Sequence, residues 1–211
     1  MSQLMTRTRI KFCGLTRPED IAKAVALGVD ALGFVMWPKS SRSITPEALR
    51  VLAAQVPAFV TRVGLFVNQP AELIEQCLPH LDLIQFHGDE SAAFCQQFGR
   101  PWIKALRMRD DIDLHEAAKE YAAAQALLLD AYRPGVPGGT GETFDWSRIP
   151  ATLAKPVILA GGLTADNIAR AVNDVAPYAV DVSGGIEASP GVKEAESMAA
   201  FVRNVAQADI R

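Results

Sequence analysis

The chain has 211 residues, of which 49% are hydrophobic and 21% charged, and its formal net charge is −3. This composition excludes wholesale disorder, because enough apolar surface can be buried to offset the conformational entropy of the chain. The mild acidity and the scattered basic residues argue against a nucleic-acid partner, which needs clustered Lys and Arg. No apolar run approaches the ~20 residues of a membrane span, so no membrane partner is expected.

The N-terminus and the cysteines indicate the compartment. Residues 1–9 contain no apolar stretch of signal-peptide length, and we therefore expect a cytoplasmic protein. The three cysteines, Cys13, Cys77 and Cys95, form neither a CxxC nor a paired disulfide pattern, which predicts reduced thiols.

In chain order, a short apolar run rich in β-branched and aromatic residues is followed repeatedly by a turn and a stretch of helical periodicity. The predicted strands are 9–13, 30–36, 60–67, 81–86, 102–106, 126–130, 157–160 and 179–182. The predicted helices are 18–27, 46–54, 70–78, 90–98, 111–123, 164–173 and 193–206. A stretch rich in Gly and Pro, 132–143, follows the sixth strand, and only a short helix fits between it and Pro156.

Alternation of apolar strands and helices predicts parallel pairing through crossover connections. Eight such units predict an α/β protein with the (β/α)8 (TIM) barrel fold. An open doubly wound sheet is the alternative, but no G-x-G-x-x-G follows the first strand. Because no linker interrupts the repeat, we expect one domain over residues 1–211, with a flexible tail over residues 1–8.

Active sites of this barrel lie at the carboxyl ends of the strands, which makes polar residues and glycine turns there the candidates. Loops after the seventh and eighth strands often bind phosphate through backbone amides, and here both contain a Gly-Gly pair. Without a Walker-type Lys or a run of Mg²⁺-binding carboxylates, the phosphate is interpreted as a recognition handle and not as a transferred group. The glycine turns are Gly138 to Gly141, Gly161 and Gly162, and Ser183, Gly184 and Gly185.

Cys13 and Asp130 are the predicted acid/base pair. A Cys at a strand end is often only a small buried hydrophobe, but Cys13 falls at the barrel mouth. A thiol with an ordinary pKa of ~8.5 needs only a modest shift to act as a base near neutrality. Asp130 ends a run of three leucines, where a carboxylate has no obvious structural partner. One thiol and one carboxylate suit proton transfer between carbon and oxygen, which is isomerase chemistry.

Three other residues at or after strand ends can each be interpreted in two ways. Arg42 is either part of a solvated basic turn or a guanidinium that grips a carboxylate. His87 contacts either backbone or ligand, and Asp181 is either a substrate contact or a turn former. Nothing in the sequence has the spacing of metal ligands or of a Ser-His-Asp triad.

With these residues in place, the sequence resembles the phosphoribosylanthranilate isomerase family of tryptophan biosynthesis. The resemblance runs almost end to end, and the order and spacing of the matching segments are far more specific than any one of them. Those segments are Ile10-Lys11-Phe12-Cys13-Gly14-Leu15-Thr16, Gly33-Phe34-Val35, Ser40-Ser41-Arg42, Val63-Gly64-Leu65-Phe66-Val67-Asn68, Gln85-Phe86-His87-Gly88-Asp89-Glu90, Leu128-Leu129-Asp130, Gly138-Gly139-Thr140-Gly141, Phe144-Asp145-Trp146, Ala160-Gly161-Gly162-Leu163 and Asp181-Val182-Ser183-Gly184-Gly185-Ile186-Glu187.

The resemblance implies an Amadori rearrangement of N-(5-phosphoribosyl)anthranilate to 1-(2-carboxyphenylamino)-1-deoxyribulose 5-phosphate, without cofactor or metal. It assigns Asp130 as the general acid that opens the furanose ring, Cys13 as the thiolate base at C2 of the sugar, and Arg42 as the ligand of the anthranilate carboxylate. Phosphate would be held by the amides of the last two loops, with Gly139 or Gly141 nearby. The family commonly has a second Ser where this chain has Gly184, so a backbone donor survives there and a hydroxyl is lost.

The residues alone leave other activities open, namely another phosphosugar isomerase or lyase on the same barrel, or a non-catalytic phosphosugar-binding protein. Indole-glycerol-phosphate synthase would need a Lys acid and a Glu at strand ends, and the ketol isomerase of histidine synthesis typically has Asp at the position of Cys13. The oligomeric state is expected to be a monomer or a homodimer. Because the protein as a whole provides no attractive field, local amides and Arg42 are expected to bind the anionic groups.

Overall fold

A computed structural model describes residues 7–131 and 143–210 of the chain. Its eight strands pair in parallel, in chain order, and close into a barrel, which confirms the predicted fold. The strands are β1 Arg9–Cys13, β2 Ala31–Val35, β3 Thr61–Phe66, β4 Leu83–Phe86, β5 Trp102–Arg107, β6 Leu127–Asp130, β7 Val157–Leu159 and β8 Ala179–Val182. The helices are α1 Pro18–Ala26, α2 Pro46–Ala53, α3 Ala71–Cys77, α4 Ala92–Gln96, α5 Leu114–Glu120, α6 Ile168–Val175 and α7 Ala195–Asp209.

Apolar side chains fill two layers. The larger one lies between the barrel and its helices and includes Phe12, Phe86 and Phe201. The smaller one fills the barrel interior and includes Ile103, Leu128 and Ile158. Since successive side chains of a strand point to opposite faces, each strand contributes to both layers, and this explains the nearly continuous apolar runs in the sequence.

Helices α4, α5 and α6 begin later than predicted, and side-chain caps explain the later start of α4 and α5. Ser91 accepts a hydrogen bond from Phe94 N, and the Asp113 carboxylate accepts from His115 N and Glu116 N. At α6, Thr164 N donates instead to Asn167 Oδ1, so the helix starts at Ile168. The residues that the periodicity assigned to the first turn therefore lie in the caps of α4 and α5 and in the turn before α6.

Two features near the ends of the barrel were not predicted. After β8 the chain makes a short 3₁₀ turn, Gly184–Ile186, and then an antiparallel hairpin, β9 Glu187–Ser189 and β10 Val192–Lys193. At the other end, residues 1–6 of the expected tail lie outside the described residues. Thr8, which the prediction placed in the tail, is buried. It donates hydrogen bonds to the Asp209 carboxylate from its backbone N at 2.8 Å and from its Oγ1 at 2.7 Å. Thr8 therefore belongs to the folded barrel.

Candidate active site

A cavity of about 510 Å³ lies at the carboxyl ends of the strands, where the barrel rule places an active site. Every predicted site residue that the structure describes lines this cavity. Gly139 and Gly141 belong to residues 132–142, which lie outside the described part of the chain. The predicted residues in the lining are Cys13, Arg42, His87, Asp130, Gly161, Gly162, Asp181, Ser183, Gly184 and Gly185.

Asp130, at the end of β6, is buried and has a partner that the sequence did not suggest. His87 Nε2, just after β4, lies 3.1 Å from Asp130 Oδ2. The other ring nitrogen of His87, Nδ1, lies 3.1 Å from Gln85 Nε2. His87 therefore joins the carboxylate to an amide deeper in the barrel.

Cys13, at the end of β1, is buried beside an ion pair in the barrel interior. Lys11 Nζ lies 2.7 Å from Asp181 Oδ1, because the β1–β8 register places these two residues side by side. Cys13 Sγ and Lys11 Nζ converge above Gly33, where a β-carbon would lie 2.8 Å from the sulfur and 3.1 Å from the nitrogen. Asp181 thus pairs with Lys11 and lines the cavity, and the turn-former interpretation was wrong.

Burial raises the pKa of the Cys13 thiol, and the Asp181 charge acts in the same direction. The positive charges of Lys11 and Lys193, with a hydrogen bond from Lys11, oppose this rise without cancelling it. Desolvation therefore shifts the pKa of Cys13 away from neutrality, in the direction opposite to the modest downward shift that a base near neutrality needs. The lysines supply the countercharge that a thiolate at this position needs.

A second ion-pair cluster lies beside the loop after β8, where Lys193 Nζ contacts the carbonyl oxygen of Ser183 at 3.1 Å. The Arg42 guanidinium makes a bidentate pair with Glu187, through Nε at 2.8 Å and Nη2 at 2.6 Å, and Nη1 takes no part in this pair. Lys193 Nζ contacts Glu187 Oε1 at 2.8 Å and the Cys13 carbonyl at 2.6 Å. Arg42 is thus neither a solvated turn residue nor an isolated cation, because Glu187 orients it.

Burial lowers the pKa of the Lys193 ammonium, although Glu187 acts against this shift. For Glu187 burial acts to raise the pKa, but hydrogen bonds and charge from Arg42 and Lys193 outweigh it and lower the pKa overall. Glu187 is therefore held as a carboxylate between two cations.

The glycine loops approach one another closely at the rim of the cavity. Gly161 and Gly162 have φ values of 80° and 63°, which side chains rarely adopt. A β-carbon at Gly185 would collide with the carbonyl oxygen of Leu163, so the loops after β7 and β8 pack backbone to backbone. The first N–H groups of the 3₁₀ turn at Gly184 have no partner within that turn and are available to an anion.

Sequence reasoning missed Lys11, Gln85, Glu187 and Lys193. Strand alternation was a usable signal for Lys11 and Gln85, because each lies two residues before a predicted site residue and so shares its face of the barrel. Glu187 and Lys193 gave no such signal, because they follow the last strand in a hairpin that was not predicted.

The described residues contain neither a candidate metal site nor a candidate membrane span. In residues 7–131 and 143–210, no cluster of His, Cys, Asp or Glu side chains has the makings of a metal site. Over the same ranges, no helix combines the length and apolar character of a membrane span.

The chain is similar to known proteins over nearly its whole length. The family model for N-(5'phosphoribosyl)anthranilate (PRA) isomerase matches residues 10–204. A relative from Chromohalobacter salexigens named N-(5'-phosphoribosyl)anthranilate isomerase is 65% identical, over 97% of both chains.

Solved structures give the same result. Phosphoribosyl anthranilate isomerase in complex with reduced 1-(o-carboxyphenylamino)-1-deoxyribulose 5-phosphate is 36% identical, with a TM-score of 0.84 over 95% of this chain and 99% of that one. Monomers generated from the dimeric isomerase of Thermotoga maritima are 35% identical, with a TM-score of 0.82 over 94% and 98% of the two chains. The chain therefore belongs to the N-(5'-phosphoribosyl)anthranilate isomerase family.

Proposed function

We propose that this chain converts N-(5-phosphoribosyl)anthranilate to 1-(2-carboxyphenylamino)-1-deoxyribulose 5-phosphate by acid/base catalysis, with Asp130 as the acid and Cys13 as the base. The observation that carries this proposal is that the two residues, from β6 and β1, line one cavity at the carboxyl ends of the strands. A polar side chain contacts each of them: His87 contacts the Asp130 carboxyl group, and Lys11 contacts the Cys13 sulfur.

The first step opens the sugar ring. The Asp130 carboxyl group donates its proton to the furanose ring oxygen, and the C1–O bond breaks with its electrons passing to that oxygen. The anthranilate nitrogen forms a double bond to C1, which gives a protonated Schiff base. Asp130 is left as a carboxylate, and this charge is stabilised by His87 Nε2 at 3.1 Å.

The second step moves a proton from carbon. The Cys13 thiolate removes the proton on C2, the C–H electrons form a C1–C2 double bond, and the Schiff-base nitrogen becomes neutral. The resulting enolamine loses its C2 hydroxyl proton and gains a proton at C1, which yields the aminoketose with no net change in atoms. Lys11 stabilises the thiolate through its charge and a hydrogen bond.

The anthranilate group has a matching surface in the cavity. Val35 and Leu65 form an apolar cluster with Cys13, and Trp37 and Val67 pack against it. All these side chains line the cavity together with Arg42. We propose that the aromatic ring packs on this cluster while Nη1 of Arg42, which Glu187 leaves available, binds the carboxylate.

Replacing Arg42 with Met is expected to raise KM about 10- to 100-fold, because a charge-assisted hydrogen bond to the substrate carboxylate is lost. The effect on kcat should be smaller, since the guanidinium does not contact the reacting atoms. Steady-state kinetics measure both. Lys39→Met, an exposed cation in the same loop, is the control, and an unchanged KM in Arg42→Met would exclude the carboxylate role.

Phosphate is proposed to bind between the loops after β7 and β8, at the amides of Gly162, Gly184 and Gly185. Gly185→Ala is expected to raise KM and the inhibition constant of inorganic phosphate about 10-fold, because the new methyl group separates the two loops and costs hydrogen bonds. The inhibition constant of inorganic phosphate measures binding at this site directly. Equal phosphate inhibition in the Gly185 variant and the wild type would place the phosphate elsewhere.

Three further parts of the proposal are the partner molecule, the cellular compartment and the oligomeric state. The small phosphosugar is the proposed partner molecule, and the chain is proposed to work in the cytoplasm, which suits its three free, buried cysteines. A monomer or a homodimer is proposed, and the relative from Thermotoga maritima is described as dimeric.

The chemical identity of the product tests the proposed reaction. Purified protein, treated with a chelator, is incubated with freshly prepared substrate and the product is followed by ¹³C NMR. We expect a ketone carbon at C2 and a nitrogen-bearing CH₂ at C1, with no change in mass. Release of free anthranilate as the enzyme-dependent product would instead indicate hydrolysis.

A further inference from the structure

Gln85 is a fully buried polar residue of β4 that does not line the cavity. It lies two residues before His87 and therefore on the same face of the barrel. Its Nε2 group faces His87 Nδ1 at 3.1 Å. We infer that Gln85 is a positioning residue, which fixes the tautomer of His87 and thereby directs the catalytic proton of Asp130 to one carboxyl oxygen. This inference rests on the proposed acid role of Asp130.

The donor and acceptor groups of Gln85 and His87 fix the direction of both hydrogen bonds. An amide nitrogen can only donate, so Nδ1 of His87 must accept and cannot carry a hydrogen. The neutral ring then carries its hydrogen on Nε2. Because Nε2 lies 3.1 Å from Asp130 Oδ2, the ring donates to that oxygen.

A carboxyl oxygen that accepts from His87 is the poorer place for the acid proton. When Asp130 is protonated, the proton is therefore directed to Oδ1. A β-carbon at Gly161 would lie 2.9 Å from Oδ1, so this oxygen faces the loop after β7, which lines the cavity. Gln85 thus keeps the proton on the substrate side of the carboxyl group.

Without the amide, the two neutral tautomers of His87 become accessible. With its hydrogen on Nδ1, the ring would accept at Nε2, and the Asp130 proton would move to Oδ2 and point at His87. The acid would then be present but turned away from the ring oxygen of the sugar. Turnover should fall while substrate affinity is kept, because no group in contact with substrate has been removed.

The hydrogen bonding of the Gln85 side chain indicates that this residue is not required for the stability of the fold. Gln85 Oε1 has no hydrogen-bond partner among the described residues. A buried carbonyl oxygen without a donor destabilises the folded state, so its removal is favourable, whereas loss of the Nε2 donor to His87 Nδ1 is unfavourable. Gln85→Met makes both changes, so we expect its stability to stay close to that of the wild type, and thermal unfolding of both proteins separates an effect on catalysis from an effect on folding.

The test combines histidine NMR with kinetics on the full chain. Side-chain ¹⁵N spectra above about pH 8, where an ordinary imidazole is neutral, distinguish the two tautomers. The chain has three histidines, so the His87 signals are assigned by their loss in His87→Asn. We expect the Nε2–H tautomer in the wild type and the Nδ1–H tautomer or a mixture in Gln85→Met, with kcat lowered at least about 10-fold and KM changed less than about twofold.

The control is Ile84→Met, a buried neighbour in the same strand that packs in the helix-side layer, and it should leave both the tautomer and kcat unchanged. An Nδ1–H tautomer in the wild type would overturn the inference without any variant. So would a folded Gln85→Met whose tautomer changes while kcat does not, or whose KM rises together with the fall in kcat. If the wild type itself shows no turnover, the proposed function fails, and the tautomer measurement still reports on the contact between Gln85 and His87.

Discussion

Asp130→Asn is expected to lower kcat about 10³-fold, within the range of a general acid, while substrate affinity is retained. The amide has nearly the shape of the carboxyl group and can still accept a hydrogen bond from His87. It has no acidic proton to give to the furanose oxygen, so ring opening fails. The measurement pairs kcat with the dissociation constant of the reduced product analogue.

Asp89→Asn is the matched control, because it removes a carboxylate from an exposed position in the loop after β4. Its kcat should stay within about twofold of the wild type. A near-normal kcat in Asp130→Asn would mean that another group donates the proton, whereas loss of both kcat and binding would indicate a structural role.

Cys13→Ser is expected to lower kcat at least about 10²-fold, because a serine hydroxyl is a far weaker base than a thiolate. The direction in which kcat/KM changes with pH is a second test of Cys13 as the base. Burial raises the pKa of the thiol, so the thiolate fraction, and with it the wild-type kcat/KM, should increase as the pH rises through neutrality. Lys11→Met should move this rise to higher pH, because the nearest countercharge is lost.

Cys95→Ser is the control for the loss of a buried thiol. Burial raises the pKa of Cys95 to about 12, but this thiol packs behind the barrel wall on α4. Its replacement should cost stability and leave the pH profile unchanged. If Cys13→Ser keeps the wild-type pH profile and rate, the base is another group.

Much of the barrel could be predicted from the sequence, because each strand–helix unit has its own local pattern. The three leucines before Asp130 and the run ending at Cys13 are buried on both faces, and such strands have continuous apolar runs. The general rule that barrel sites lie at strand ends then brought Cys13, His87 and Asp130 to one cavity. The bounds of the elements shifted by a few residues at both ends, and some helix starts shifted because caps such as Asp113 compete with periodicity.

The ion pairs could not be predicted, since they depend on closure of the barrel. Lys11 meets Asp181 only because β1 pairs with β8, and these residues are 170 positions apart in the chain. Arg42 meets Glu187 through a hairpin whose sequence carried no clear strand pattern. That local amides and Arg42 bind the anionic groups stays a prediction, and the structure adds two buried cations near Cys13, Lys11 and Lys193, that the sequence did not indicate.

The most direct test of the central claim follows the fluorescence of freshly prepared phosphoribosylanthranilate after addition of the purified protein. We predict a decay whose rate is proportional to protein concentration in the wild type, and which falls to the spontaneous rate in Asp130→Asn. Circular dichroism under the same conditions establishes that both proteins are folded. A folded wild type that leaves the spontaneous rate unchanged would contradict the account.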